Sequence, residues 1–225
     1  MIWSKKYNYP SSTRSIFKGY RHYDINNEKL PSVTSIIEAT KTEDEKANLA
    51  LWKERVGHQE AQRISKEAAS RGGLMHQFLE QYLLGKLNAD LLEDNNKAKK
   101  MADEIIKNGI KGKLQEIWGC EATLYYPGKY AGAADCIGIY EGQPTILDFK
   151  QSNKPRKPQY NNNYYIQVSL YAAAHDKIFN TNITQGVILV CTSDYLFQSF
   201  KIDSEEFKQY QKKGLERVEQ FYLQK

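Results

Sequence analysis

Residues 130–151 read YAGAADCIGIYEGQPTILDFKQ, and this stretch decides the fold. Its period is that of two β-strands joined by a tight turn. The first strand carries Asp135; the second carries Asp148 and Lys150. Side chains alternate faces along a strand, so Asp148 and Lys150 point the same way. With Glu141-Gly142 as a two-residue turn, Tyr140 faces Gln143, and counting back sets Asp135 across from Asp148. Both carboxylates and the lysine then share one face. An ordinary hairpin with scattered surface charges would use the same letters, and Glu-Gly is a weaker turn signal than Asn-Gly.

Opposed carboxylates repel, because directly paired residues have Cβ atoms roughly 4.5–5.5 Å apart. Positive charge is therefore expected between them. Lys150 supplies one cation; a divalent ion would supply more, and carboxylate and water oxygens suit Mg²⁺ or Mn²⁺. Beside such an ion, in a partly buried site, Lys150 is expected to have a lowered pKa.

The chain has 225 residues, 40% hydrophobic and 26% charged, as expected of one large globular domain or a domain with an insertion. No apolar run approaches the roughly 20 residues of a membrane span, and the first ten residues, MIWSKKYNYP, carry no secretory or mitochondrial signal pattern. The expected location is the cytoplasm. Three cysteines, Cys120, Cys136 and Cys191, lack any C-x-x-C spacing, which argues against a disulfide framework or a zinc site. A four-cysteine iron–sulfur cluster is excluded by count. The net charge of +5 permits nucleic-acid binding without establishing it.

Along the chain, RHYDINNEKLPSV reads as two short strands around Asn26-Asn27, and Ser32 as the cap of a short helix. Residues 42–85 have a helical pattern punctuated at Gly57 and at Gly72-Gly73. Its last piece sets Leu74, Met75, Phe78, Leu79, Tyr82 and Leu83 on one face, with His76 and Glu80 neighbours at the edge. Residues 86–112 suggest a loop and an amphipathic helix, with the lysine run as a solvated face. Strands follow from Leu114, with a turn at Pro127-Gly128. A two-residue turn there puts Glu121 on the face away from Asp135; one bulge would bring it round. The segment after Lys150 combines Lys154, Arg156, Lys157, Tyr160 and Tyr164, either a surface loop or a single-strand contact with charges for phosphates and rings for bases. Next come a helix in which Gln167 and Tyr171 share a face, a buried strand TQGVILVCT, a further strand FQSFKID and a terminal amphipathic helix. The order strand-strand-strand-helix-strand is an α/β or α+β core around one sheet.

In order and spacing, His76 on a helix, GAAD ending at Asp135, DFK over 148–150, and QVSLY from Gln167 to Tyr171 resemble the PD-(D/E)xK nuclease superfamily, in its RecB-like exonuclease branch. Within that branch the chain is similar to mitochondrial and phage-encoded exonucleases that act on single-stranded DNA. The resemblance covers roughly residues 30–222. It implies a restriction-endonuclease-like core, a central mixed sheet flanked by helices, with an N-terminal helical region. It also implies that Asp135, Asp148, the backbone carbonyl of Phe149 and His76 bind Mg²⁺ or Mn²⁺. Lys150 would orient water or stabilise charge, Gln167 and Tyr171 would position Lys150 and the DNA backbone, and Glu121 matches a glutamate common in these enzymes. The members with iron–sulfur clusters are not matched.

The division expected is an N-terminal hairpin and helical region, 1–112, that contributes His76, and a nuclease core, 113–225. The function implied is a metal-dependent deoxyribonuclease that works from free ends of single-stranded DNA as a monomer, with the helical segment arching over the sheet and Trp52, Tyr160 and Tyr164 as candidates to stack on bases. A bacterial or phage source, and recombination or replication proteins as partners, fit that reading. The alternatives are a structure-specific endonuclease of the same superfamily and a catalytically silent nucleic-acid-binding module.

Overall fold

The structure, a computed structural model, describes residues 1–86 and 96–224; the polar stretch 87–95, expected above as part of a loop, lies outside the described residues. A six-stranded mixed sheet forms the centre, in the order β1-β5-β6-β7-β8-β9. Its strands are β1 (Ile2–Trp3), β5 (Leu114–Tyr126), β6 (Tyr130–Tyr140), β7 (Gln143–Ser152), β8 (Gln185–Thr192) and β9 (Phe197–Asp203). β7 and β8 run parallel, joined by α5 (Asn162–Phe179), as parallel neighbours require a crossover. β1 also lies parallel to β5; the other neighbours are antiparallel.

Helices cover both faces of this sheet. α5, α6 (Ser204–Leu223) and α1 (Val33–Ala39) pack on one side with Ile146, Ile188 and Val190. The C-terminal half of α3 (His58–Leu83) and α4 (Lys97–Ile105) pack on the other with Leu147, Phe149, Val187 and Leu189. The alternation along β8, every residue of which is buried, is the two-faced pattern of a covered strand. Among the described residues no helix is long and apolar enough to cross a membrane.

A second, three-stranded sheet, β2 (Thr13–Phe17), β3 (Tyr20–Ile25) and β4 (Glu28–Pro31), is built from hairpins with left-handed residues at Lys18-Gly19 and Asn26-Asn27. The second turn matches the sequence expectation; β2 and the first turn were not foreseen, because Lys-Gly is a poor signal for such turns. Ser32 caps α1 by accepting from Ser35 N–H, as anticipated.

The helical stretch divides once. α2 (Glu43–Val56) starts with a Thr42/Glu45 capping box and ends at Gly57, whose φ of +85° suits glycine. The break anticipated at Gly72-Gly73 does not occur: α3 runs straight through. Two glycines cost a helix about 2 kcal/mol against alanine. Gly72 has a packing reason to be there, since a Cβ would come within 3.3 Å of Gln151 on β7. Leu74, placed on the apolar face by its spacing, is 40% exposed, while Met75, Leu79 and Leu83 are buried. No residue of α2 is buried, and only Ala61 in the first half of α3. This helical arm is tied down near its ends: Glu45 bonds Asn163 on α5 and Arg217 on α6, and Arg71 bonds Gln151 and Asn153.

Candidate active site

The hairpin register is the one counted from the sequence: Tyr140 faces Gln143 and the ladder runs to Cys136 opposite Leu147. It stops one rung short of Asp135 and Asp148. On the other side of β6 the pairs Cys120–Cys136 and Ala122–Ala134 flank a rung, Glu121–Asp135, that is missing. Before that gap the paired cysteines pack with the α3–α4 cluster; after it the paired alanines pack with the α5 cluster. Both strands therefore switch faces at Glu121 and Asp135, and Glu121 takes a left-handed φ of +48° to do so. A bulky residue adopts that conformation only where the surroundings enforce it.

Asp135 makes use of the opening. Its Oδ2 accepts the N–H of Phe149 at 2.7 Å, so the backbone amide next to Asp148 is satisfied by a side chain. His76, from α3, brings Nδ1 to 3.6 Å from Asp135 Oδ2 and 3.9 Å from Glu121 Oε1. One ligand atom from each of His76, Glu121 and Asp135 lies within 4.8 Å of the others. Asp148 is almost fully buried. Its Oδ1 accepts from Gln167 Nε2 at 3.1 Å, and Lys150 Nζ stands 2.5 Å from its Oδ2. Apart from that ammonium, Oδ2 has no donor.

The charges are tightly balanced. Burial, then the neighbouring Asp148, pushes the Asp135 carboxyl up to about 6. Burial pulls the His76 imidazole down, but Asp135, Glu121 and Asp148 outweigh it and hold His76 above its usual value. Burial alone would also lower Lys150; the carboxylates of Asp148 and Asp135 outweigh it and raise it. An imidazole nitrogen with two carboxylates is a donor set that fits a divalent cation.

Comparison with known proteins places this geometry in context. No protein-family model matches the chain. It is 24% identical over 208 residues to mitochondrial genome maintenance exonuclease 1 of Homo sapiens, covering 85% of this chain and 58% of the relative. Against the protein of the same name from Mus musculus the identity is 28% over 210 residues, covering 88% and 60%. The similarity supports kinship with an exonuclease family. The chain spans about 60% of the length of these two relatives. A crystal structure from Eubacterium rectale, described provisionally as an exonuclease, overlaps 67% of this chain and 64% of its own at 15% identity, with a TM-score of 0.46.

The remaining sequence-predicted residues fall into groups. Glu121 does join His76 and Asp135, but by a route neither sequence alternative described. The β5–β6 connection has three residues, Pro127 to Lys129, so Tyr126 pairs with Tyr130 and Glu121 comes level with Asp135 without an inserted residue. Gln167 and Tyr171 share a face and a hydrogen bond of 3.3 Å, and the carboxylate that Gln167 holds is Asp148 rather than Lys150 itself. Glu80, four residues from His76, is not among the clustered ligands. Of the basic segment, Lys154, Lys157 and Tyr160 are exposed, whereas Arg156 is bound to Asn161 and the Tyr160 carbonyl. Tyr164 lies on α5, with Lys150 and Arg156 both against its ring, 5.0 and 4.7 Å from its centroid. Trp52 is half-buried on α2, remote in sequence from these groups. Sequence reasoning missed Arg71, which fastens the arm to β7 beside the site; its only signal was its place beside Gly72.

Proposed function

We propose that the protein is a metal-dependent exonuclease that hydrolyses DNA from free ends, with single strands as its substrate. The observation that carries this reading is the convergence of His76, Glu121 and Asp135 beside the Asp148–Lys150 pair. On this reading Mg²⁺ or Mn²⁺ is held by His76, Glu121, Asp135 and Asp148, with the Phe149 carbonyl as a further donor. The ion would supply hydroxide near neutral pH and offset charge on the phosphate.

The chain's own groups do the rest. Lys150, 2.5 Å from Asp148 Oδ2, presents its ammonium to the anionic phosphate and directs the attacking water. Gln167 fixes the Asp148 carboxylate, and Tyr171 fixes Gln167. The exposed Lys154 and Lys157 attract the backbone, Tyr160 and Trp52 offer rings to bases, and the α2–α3 arm walls the path of a single strand. Arg156 and Tyr164 shape that segment from within.

The test is digestion of end-labelled single strands, duplexes and covalently closed single-stranded circles with Mg²⁺, Mn²⁺ or EDTA. The expected outcome is metal-dependent loss of linear single strands with circles intact. Degraded circles would replace the reading with an endonuclease.

A further inference from the structure

Arg71 joins α3 to the end of β7. Its Nε and Nη2 donate to Oε1 of Gln151 at 3.1 and 2.9 Å, and Nη2 also bonds Oδ1 of Asn153. Gln151 directly follows Lys150 in the chain, and His76 stands within two helical turns of Arg71 on the same helix.

Both acceptors are neutral. A guanidinium is always charged and only donates. A carboxylate partner would cancel that charge, as happens where Arg63 meets Glu60 and Glu67 and where Arg217 meets Glu45. Two amide oxygens instead orient the guanidinium and leave its charge standing. Among the described residues the hydrogen-bond partners of Arg71 are these two side chains, and its Nη1 has none. The side chain is half-buried, so that free edge is held by its surroundings.

The company it keeps matters as much. Lys150 lies on one side of Gln151, and Asn153 leads into the exposed Lys154 and Lys157 on the other. A strand advances roughly 3.3 Å per residue, so four cations follow one another along the end of β7 and its continuation. Like charges gathered in this way repel, and a polyanion laid along them relieves the repulsion.

We propose that Arg71 binds the phosphate next to the one being cut, a reading that rests on the proposed function. Lys150 faces the reacting phosphate. Arg71, fixed by Gln151 and Asn153, offers the N–H groups of Nη1 to the oxygens of the neighbouring phosphate as charge-assisted hydrogen bonds. The enzyme then requires a second phosphodiester beside the one it cleaves, which makes it specific for chains rather than for single linkages.

The same contacts fasten the arm, so the role of the charge has to be separated from that of the tie. Gln151→Glu does this: it keeps acceptor oxygens on Arg71 and cancels the charge. The test is single-turnover cleavage, with Mn²⁺, of end-labelled single strands that each carry one uncharged methylphosphonate at a different linkage. In the wild type a methylphosphonate beside the linkage being cut should slow cleavage at least ~10-fold, the loss of one hydrogen bond to a charged acceptor. Arg71→Ala and Gln151→Glu should each slow the unmodified strand about as much, and in both variants that methylphosphonate should add nothing, because its partner is already lost. Wild-type rates in Gln151→Glu, or a methylphosphonate penalty that persists in Arg71→Ala, overturn the assignment and leave Arg71 a tie. If the protein cuts no strand, the series is read as binding in EDTA. A methylphosphonate position that weakens the wild type but not Arg71→Ala then keeps the phosphate contact while the nuclease reading falls, and its absence removes both; an active nuclease with additive losses removes the contact alone.

Discussion

Lys150 Nζ lies 2.5 Å from Oδ2 of Asp148, a carboxylate that is only 1% exposed. The ammonium and the proposed metal would therefore draw on the same buried charge. Lys150→Ala leaves that charge without its partner, at a cost of about 2–3 kcal/mol, below the full penalty for a buried pair because the lysine is one-fifth exposed. Divalent cations should restore stability, since a ligand that binds only the folded state stabilises it. The expected outcome is a lowered Tm in EDTA, a larger rise on adding Mn²⁺ than wild type shows, and loss of cleavage. Thermal unfolding with and without Mn²⁺ checks this; a wild-type rise, or retained cleavage, contradicts it.

Gly132 opens the GAAD segment, and a Cβ there would come within 2.6 Å of the Tyr171 ring. Gly132→Ala must move a buried ring that holds Gln167, and through it Asp148. Overpacking of this kind costs roughly 1–3 kcal/mol. Single-turnover cleavage should slow by about tenfold or more, with Tm lowered. Wild-type rates would mean that Tyr171 does not position the carboxylate.

His175 is buried among Tyr7, Tyr9, Trp118 and Phe179. The Thr181 hydroxyl donates to Asp176, so it must accept from Nδ1–H, leaving Nε2 to accept from Tyr9. That network holds a neutral ring, and burial lowers the pKa from 6.5 to about 4. Between those values the unfolded chain binds one more proton, so stability rises with pH across the window and is lost as pH falls from 6.5 towards 4. The loss between pH 6.5 and 5 should be about 2 kcal/mol, and His175→Gln should flatten it. Denaturant unfolding at the two pH values measures it; equal slopes in both proteins would contradict the assignment.

Lys154 and Lys157 are exposed, unlike Arg156, which the fold has engaged. Replacing both lysines with alanine should weaken single-strand binding and reduce the slope of log K against log salt by about 1.4, two contacts at ~0.7 each. An unchanged slope would remove this segment from the DNA path.

The sequence makes the β6–β7 hairpin legible because a two-residue turn and strict alternation fix its register. The same logic fails at Glu121, where a three-residue connection and a left-handed residue break the alternation together. Gly72-Gly73 misled for the opposite reason: glycine signals a break by propensity, yet α3 continues, with Gly72 close to Gln151 and Gly73 in open space. Arg71 and the missing rung at Asp135 depend on contacts between segments distant in the chain, which no local pattern encodes.

The central claim is that His76, Glu121 and Asp135, with Asp148, hold a divalent cation. Calorimetric titration of Mn²⁺ into the wild-type protein and into Asp135→Asn tests it most directly. The account predicts saturable binding in the wild type, weakened at least tenfold in Asp135→Asn while the fold persists. Equal Mn²⁺ affinity in the two folded proteins would contradict it.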